Sequence, residues 1–125
     1  MYMDASSRKS GDKARLLTPV MLKTSGKCFE FWYHMFGSAV GSFNLYKKTG
    51  SSVGIRIWSQ SGNQGDEWLA ARVSVWSPSR TFRLSFEGTV AGSTGDIAID
   101  DIRIFDGRCA APGMYIEILD GIGKY

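Results

Sequence analysis

The chain has 125 residues, 43% of them hydrophobic and 13% aromatic, which is one domain's length with enough apolar material for a core and excludes a disordered tail. Its formal charge of +3 comes from scattered Lys and Arg, with short pairs at Arg8-Lys9 and Lys47-Lys48. That is not the dense basic footprint of a nucleic-acid binder. No apolar run is long enough to cross a bilayer, and MYMDASSRKSGDK lacks the charged start, apolar centre and cleavage site of a signal peptide.

Segments rich in aromatic and β-branched residues follow one another along the chain. They are residues 14–22, 28–36, 42–48, 54–59, 68–75, 81–88 and 95–105, the first being the weakest. Helical periodicity is nowhere sustained. Between the segments lie turn clusters such as TGSSVG, SQSGNQGDE and VAGSTG. Short strands at this spacing predict an all-β antiparallel β-sandwich or jelly roll. Alternation supports half-buried strands, with Phe43, Leu45 and Lys47 on one face of the third segment and Phe82, Leu84 and Phe86 on one face of the sixth. The second segment is bulky on both faces, Phe29, Phe31, Tyr33 and Met35 against Trp32, His34 and Phe36, which predicts a central strand. Residues 110–125 read as one more short strand or as a trailing extension.

The stretch GDIAIDDIRIF, residues 95–105, carries an oddity. On a regular strand Asp100 shares a face with Ala98 and Ile102, and Asp101 shares the other with Ile97 and Ile99. Whichever face is buried, a carboxylate points into it, and burying an unpartnered carboxylate is costly. Two answers stand side by side. Asp4, Asp100 and Asp101 are hard oxygen donors that suit a structural Ca²⁺. Alternatively a buried Asp accepts backbone N–H hydrogen bonds or pairs with Arg15 or Arg103.

Catalytic patterns are missing from the text. His34, the single histidine, lies mid-strand among aromatics, where a structural hydrogen bond is the expected role. There is no HExxH or GxSxG, and GSAVGS and GNQGD are turn glycines without a P-loop lysine. Neither enzyme activity nor a catalytic cofactor is therefore expected. Trp58, Trp68 and Trp76 are read as core or interstrand packing, against the alternative of an exposed platform for a glycan or protein. The polar residues of SQSGNQGDEW are expected to hold a long turn through side-chain to backbone hydrogen bonds. No Asn-x-Ser/Thr sequon occurs. Cys28 and Cys109, 81 positions apart, are either a disulfide or two separate thiols; CxxC chemistry and a cysteine-rich zinc site are excluded.

The strings FWYHMFGSAVGSFNLY, WSQSGNQGDEW and FEGTVAGSTGDIAIDDI, with the opening MYMDAS, the ARLLTPV segment and the closing Cys109, resemble the MAM domain, named for meprin, the A5 antigen neuropilin and receptor protein tyrosine phosphatase mu. The resemblance implies an extracellular jelly-roll sandwich over residues 1–109, with residues 110–125 a C-terminal extension or the start of a linker. Members usually carry four cysteines in two sequential pairs. Cys28 and Cys109 match the second pair, which implies a disulfide between them. The first pair would precede Tyr2, so the resemblance implies a domain without its N-terminal strand region. It also implies a noncatalytic extracellular interaction module within a larger secreted or membrane protein, mediating cell adhesion or receptor oligomerisation through homophilic or heterophilic protein contacts. The alternatives are an accessory domain of a meprin-like extracellular metalloprotease, and a glycan-binding jelly roll. Judged by residue type alone, Arg8, Lys9, Lys47, Lys48, Arg80 and Trp76 are candidate contact residues.

Overall fold

The structure, a computed structural model, describes residues 2–4, 11–50, 54–92 and 94–109. Eight strands make up the described fold: β1 (Tyr2–Asp4), β2 (Lys13–Leu17), β3 (Thr24–Phe36), β4 (Val40–Lys48), β5 (Ile55–Ser61), β6 (Leu69–Ser77), β7 (Arg83–Val90) and β8 (Asp96–Asp106). They form two four-stranded sheets with orders β1-β8-β3-β6 and β2-β7-β4-β5, and every ladder is antiparallel. Except at the β4–β5 hairpin, consecutive strands lie in opposite sheets, which is the winding of an eight-stranded jelly roll. The predicted sandwich is therefore the observed one, and the bulky 28–36 segment is central, flanked by β8 and β6.

Alternation places the core between the sheets. Phe29, Phe31, Tyr33 and Met35 from β3 meet Phe43 and Leu45 from β4, Leu84 and Phe86 from β7, and Ala71, Val73 and Val75 from β6. Phe31 is the hub, with ring centroids 5.1 Å from Trp58, 5.2 Å from Phe86 and 6.5 Å from Phe43, all edge-to-face. That geometry sets the positive ring edge against the negative ring face.

The segment expected over residues 14–22 is a strand only to Leu17, after which Met21 alone forms a bridge, to Phe82. Pro19 offers no N–H to a ladder, so the strand ends ahead of it. On the outer face of the second sheet Glu87 is buried under Arg15, whose Nε donates to it at 2.8 Å, and Lys13, at 3.4 Å. Arg15 thus serves Glu87, not the Asp100-Asp101 pair.

That pair is explained by a β-bulge. Glu30 stands opposite Arg103 and Trp32 opposite Asp100, so Asp101 and Ile102 together face Phe31 alone. Asp101 has φ 53°, the left-handed conformation that a bulge of this kind requires. The extra residue breaks the alternation, and both carboxylates end up exposed. The sequence expectation that one of them points into the core assumed an unbroken pleat and is corrected here.

The sulfurs of Cys28 and Cys109 are bonded, with Cα atoms 4.8 Å apart. The bond fastens the chain beyond β8 to the central strand, where Cys28 pairs with Phe105, and the Cys109 N–H donates to Ser74 Oγ at 3.0 Å.

Candidate functional site

Two surfaces gather side chains that the core does not use. The first is one end of the sandwich. There β4 ends and β5 begins, Lys47 facing Ile55 across the hairpin, while β6 ends at Ser77 and crosses through residues 78–82 into β7. Lys47 follows Phe43 and Leu45 in the inward register but lies past the core, so its ammonium donates to the Trp76 carbonyl at 2.7 Å. Ser77 Oγ donates to the Arg80 carbonyl at 2.8 Å and tightens the crossing. Lys47, Ile55, Trp76, Pro78 and Arg80 line a cleft of about 550 Å³. Beside it, at the same end, a second hollow of about 300 Å³ is lined by Leu17, Val20, Lys48 and Arg83. Trp76 is 58% exposed and Ile55 66%. The end thus joins exposed apolar residues to cationic ones.

Of the contact residues suggested by type, Lys47, Lys48, Trp76 and Arg80 come together here, whereas Arg8 and Lys9 lie outside the described residues. Sequence reasoning missed Ile55, Val20 and Leu17. Ile55 opens β5, Val20 lies beyond the end of β2, and Leu17 alternates with Leu16, which packs against the core.

The second surface is the outer face of the first sheet. The turn SQSGNQGDEW is held as its polar residues suggested: Gln64 Nε2 donates to the Ser61 carbonyl at 2.9 Å and the Gly65 N–H to Asn63 Oδ1 at 3.0 Å, while the Gln64 N–H reaches the Met35 carbonyl at 2.8 Å. So anchored, the turn brings Asp66 to His34, Nε2 to Oδ1 3.0 Å, and lays Trp68 on His34 with ring centroids 5.5 Å apart. His34 is a structural joint between Trp68 and Phe36. Trp32 and Trp68 then wall a shallow groove of about 320 Å³ closed by Asp100 and Asp101.

The three tryptophans divide. Trp58 packs in the core against Phe31, Tyr33 and Phe43. Trp68 is half exposed but packs between strands on His34, as expected, whereas Trp76, in the outward register of β6, is exposed, contrary to the expectation of packing.

Along the ladder Asp4 is not level with Asp100 and Asp101. Asp4 stands opposite Asp96, four positions and roughly 13 Å of strand from Asp100. Asp100 Oδ1 accepts from the Asp101 N–H at 2.8 Å, and Asp101 Oδ1 accepts from Arg103 Nε at 3.2 Å. Among the described residues no group of three metal-ligating acidic, His or Cys side chains occurs.

An eight-stranded jelly roll with exposed aromatic and charged surfaces at one end and on one face defines a recognition scaffold. The family model described as "MAM domain, meprin/A5/mu" matches residues 1–110, and the chain belongs to that family. It is 42% identical over 123 residues to MAM domain-containing glycosylphosphatidylinositol anchor protein 2 of Mus musculus, covering 88% of this chain and 13% of that protein. It is 40% identical to neuropilin-1 of Xenopus laevis, covering 99% of this chain and 14% of that protein. The chain therefore spans about an eighth of the length of the relatives it matches. A solved structure described as "CBM4 structure and function" shares the fold, with a TM-score of 0.55 at 10% identity, over 82% of this chain and 79% of that one.

Proposed function

We propose that the chain is a noncatalytic extracellular protein-binding module that serves cell adhesion or ectodomain assembly in the protein that carries it. The observation that carries this reading is the loop end of the sandwich, where Trp76, Ile55 and Val20 stand exposed beside Lys47, Lys48, Arg80 and Arg83. Exposed aromatic and Arg side chains beside a water-excluding apolar patch are the residue types that anchor protein interfaces. The surface fits a partner with apolar residues and a net negative charge. A rigid sandwich presents it without ordering cost, so a standard interface of about 800 Å² per side suffices for a specific contact. Relatives whose names place them on a glycosylphosphatidylinositol anchor support an outer-surface setting, and the Cys28–Cys109 disulfide suits that oxidising environment. Clustering on a membrane would multiply a weak contact into adhesion.

The test displays the full, disulfide-bonded chain at high density on beads and measures bead aggregation and capture by cells, with wild type, Trp76→Ala and Arg80→Glu in parallel. Aggregation or capture that both variants abolish, and that soluble oligosaccharides leave unchanged, is the expected result. Glycan-array binding lost in Trp76→Ala would replace the reading with glycan recognition. Capture unaffected by either variant would remove the loop end from the interface.

A further inference from the structure

We infer that the groove on the outer face of the first sheet is a receptor site for an arginine side chain presented by a protein partner. Trp32 and Trp68, 38% and 45% exposed, form its walls, and Asp100 and Asp101 close it. This rests on the protein-binding reading but uses no residue of the loop-end cleft.

The chemistry of the lining selects the occupant. An indole face attracts a cation through its quadrupole, and tryptophan does so better than tyrosine or phenylalanine. An ionised aspartate only accepts hydrogen bonds, and a guanidinium only donates them. A planar guanidinium therefore satisfies both halves of the groove at once, stacking on the indoles while donating to a carboxylate oxygen. A sugar hydroxyl both donates and accepts, and the groove offers its acceptor half little beyond the indole N–H groups. The charge is complementary as well. In a chain of net charge +3, this groove carries Asp100 and Asp101, with Asp66 across the His34 ring. Arg103 pairs with Asp101, and no described cation lies within ion-pair distance of Asp100. One oxygen of Asp100 takes the Asp101 N–H, leaving the other for a ligand. The two clefts thus have opposite tastes, the loop end suiting an acidic partner surface and this groove a basic one.

The probe is a capped Gly-Arg-Gly peptide, with the peptide carrying neutral citrulline as its isosteric control, titrated into the isotopically labelled full chain. The chain's four tryptophans give four indole N–H signals, so the readout carries its own reference. The arginine peptide is expected to move the Trp32 and Trp68 signals and leave those of Trp58 and Trp76 in place, with weaker effect as salt rises. Asp100→Asn and Trp68→Ala, both exposed and remote from the core, should each weaken binding about two- to fivefold. Citrulline binding as well as arginine would overturn the assignment. So would an arginine-induced shift confined to Trp76, or oligosaccharides moving the Trp32 and Trp68 signals where arginine does not. Failure of the peptide to bind while bead capture persists removes this site and leaves the loop-end reading intact.

Discussion

Deleting one aspartate of the Asp100-Asp101 pair should leave the domain as stable as before or stabilise it by up to about 1 kcal/mol, against the usual cost of a deletion within a strand. Either deletion yields the same chain, IAIDIRIF, which alternates without a break. The pairings that flank the bulge, Trp32 with Asp100 and Glu30 with Arg103, are in register once the extra residue is gone, so Cys28 still meets Phe105 and the disulfide still closes. The gain comes from the left-handed backbone of Asp101, φ 53°, which costs a non-glycine residue about 1–2 kcal/mol, with Asp at the lower end. The loss is the exposed Asp101–Arg103 pair, worth at most about 1 kcal/mol. Urea unfolding under oxidising conditions, followed by tryptophan fluorescence with the slope held as a check on two-state behaviour, measures the difference. Deletion of Ala98 is the contrast: it throws Ile97 or Ile99, both buried, onto the outer face and should cost about 2–3 kcal/mol. If the aspartate deletion itself lost 2 kcal/mol or more, or the disulfide failed to form, the bulge would be a structural requirement for bringing β8 to Cys28 and the reasoning would fail.

Replacing both cysteines by serine should lower stability by about 4.5 kcal/mol, the chain-entropy value for a closed loop of some 80 residues, read from urea midpoints with and without the bond. Gly37→Ala should cost at least about 2 kcal/mol or prevent folding, because Gly37 has φ 124° and an added Cβ would lie 2.4 Å from Gly95 Cα; thermal melts with Gly50→Ala, where nothing lies within 4 Å, separate the clash from the effect of φ. The Lys27 ammonium holds the Asp106 carboxyl below its ordinary value, first through a hydrogen bond and then through charge. A depressed folded pKa stabilises above the unfolded value and ceases to do so as pH falls through the folded one. A carboxyl NMR titration should therefore find the Asp106 midpoint higher in Lys27→Met than in wild type, and an unmoved midpoint would show that Lys27 is not the cause.

Alternation carried most of the fold because each central strand is covered on one face by the opposite sheet. Phe43 with Leu45, and Phe82, Leu84 with Phe86, had to face inward together, and they do. The two exceptions share a cause. The bulge at Asp101 depends on how β8 meets Phe31 across the ladder, a property of the pair of strands and not of GDIAIDDIRIF by itself. The turn at SQSGNQGDEW was legible as a hydrogen-bonded turn, since Gln, Asn and Ser advertise local bonding, but its product, Trp68 lying on His34, depends on the register of β6 against β3. Residue type alone picked out three members of the loop-end cleft and Lys48 of the hollow beside it, yet it also suggested Arg8 and Lys9, which lie outside the described residues, and it grouped Asp4 with two carboxylates that the ladder keeps about four residues away.

The four tryptophans show where stability and recognition part company. Trp58 is half-buried and packs against Phe31, Tyr33 and Phe43, with ring centroids between 5.1 and 5.7 Å, so its removal would uncover the hub of the sandwich. Trp32, Trp68 and Trp76 stand on the outer face and at the loop end, where large apolar area remains in water. A stable fold does not require them there, because the core is complete without them, and exposed indoles raise the risk of aggregation. Each lies beside charge: Trp76 near Lys47 and Arg80, Trp32 and Trp68 near Asp100 and Asp101. Apolar area joined to charge of one sign at two separate places is the pattern of selective contact, in which the indole supplies affinity and the charge decides which partner may approach.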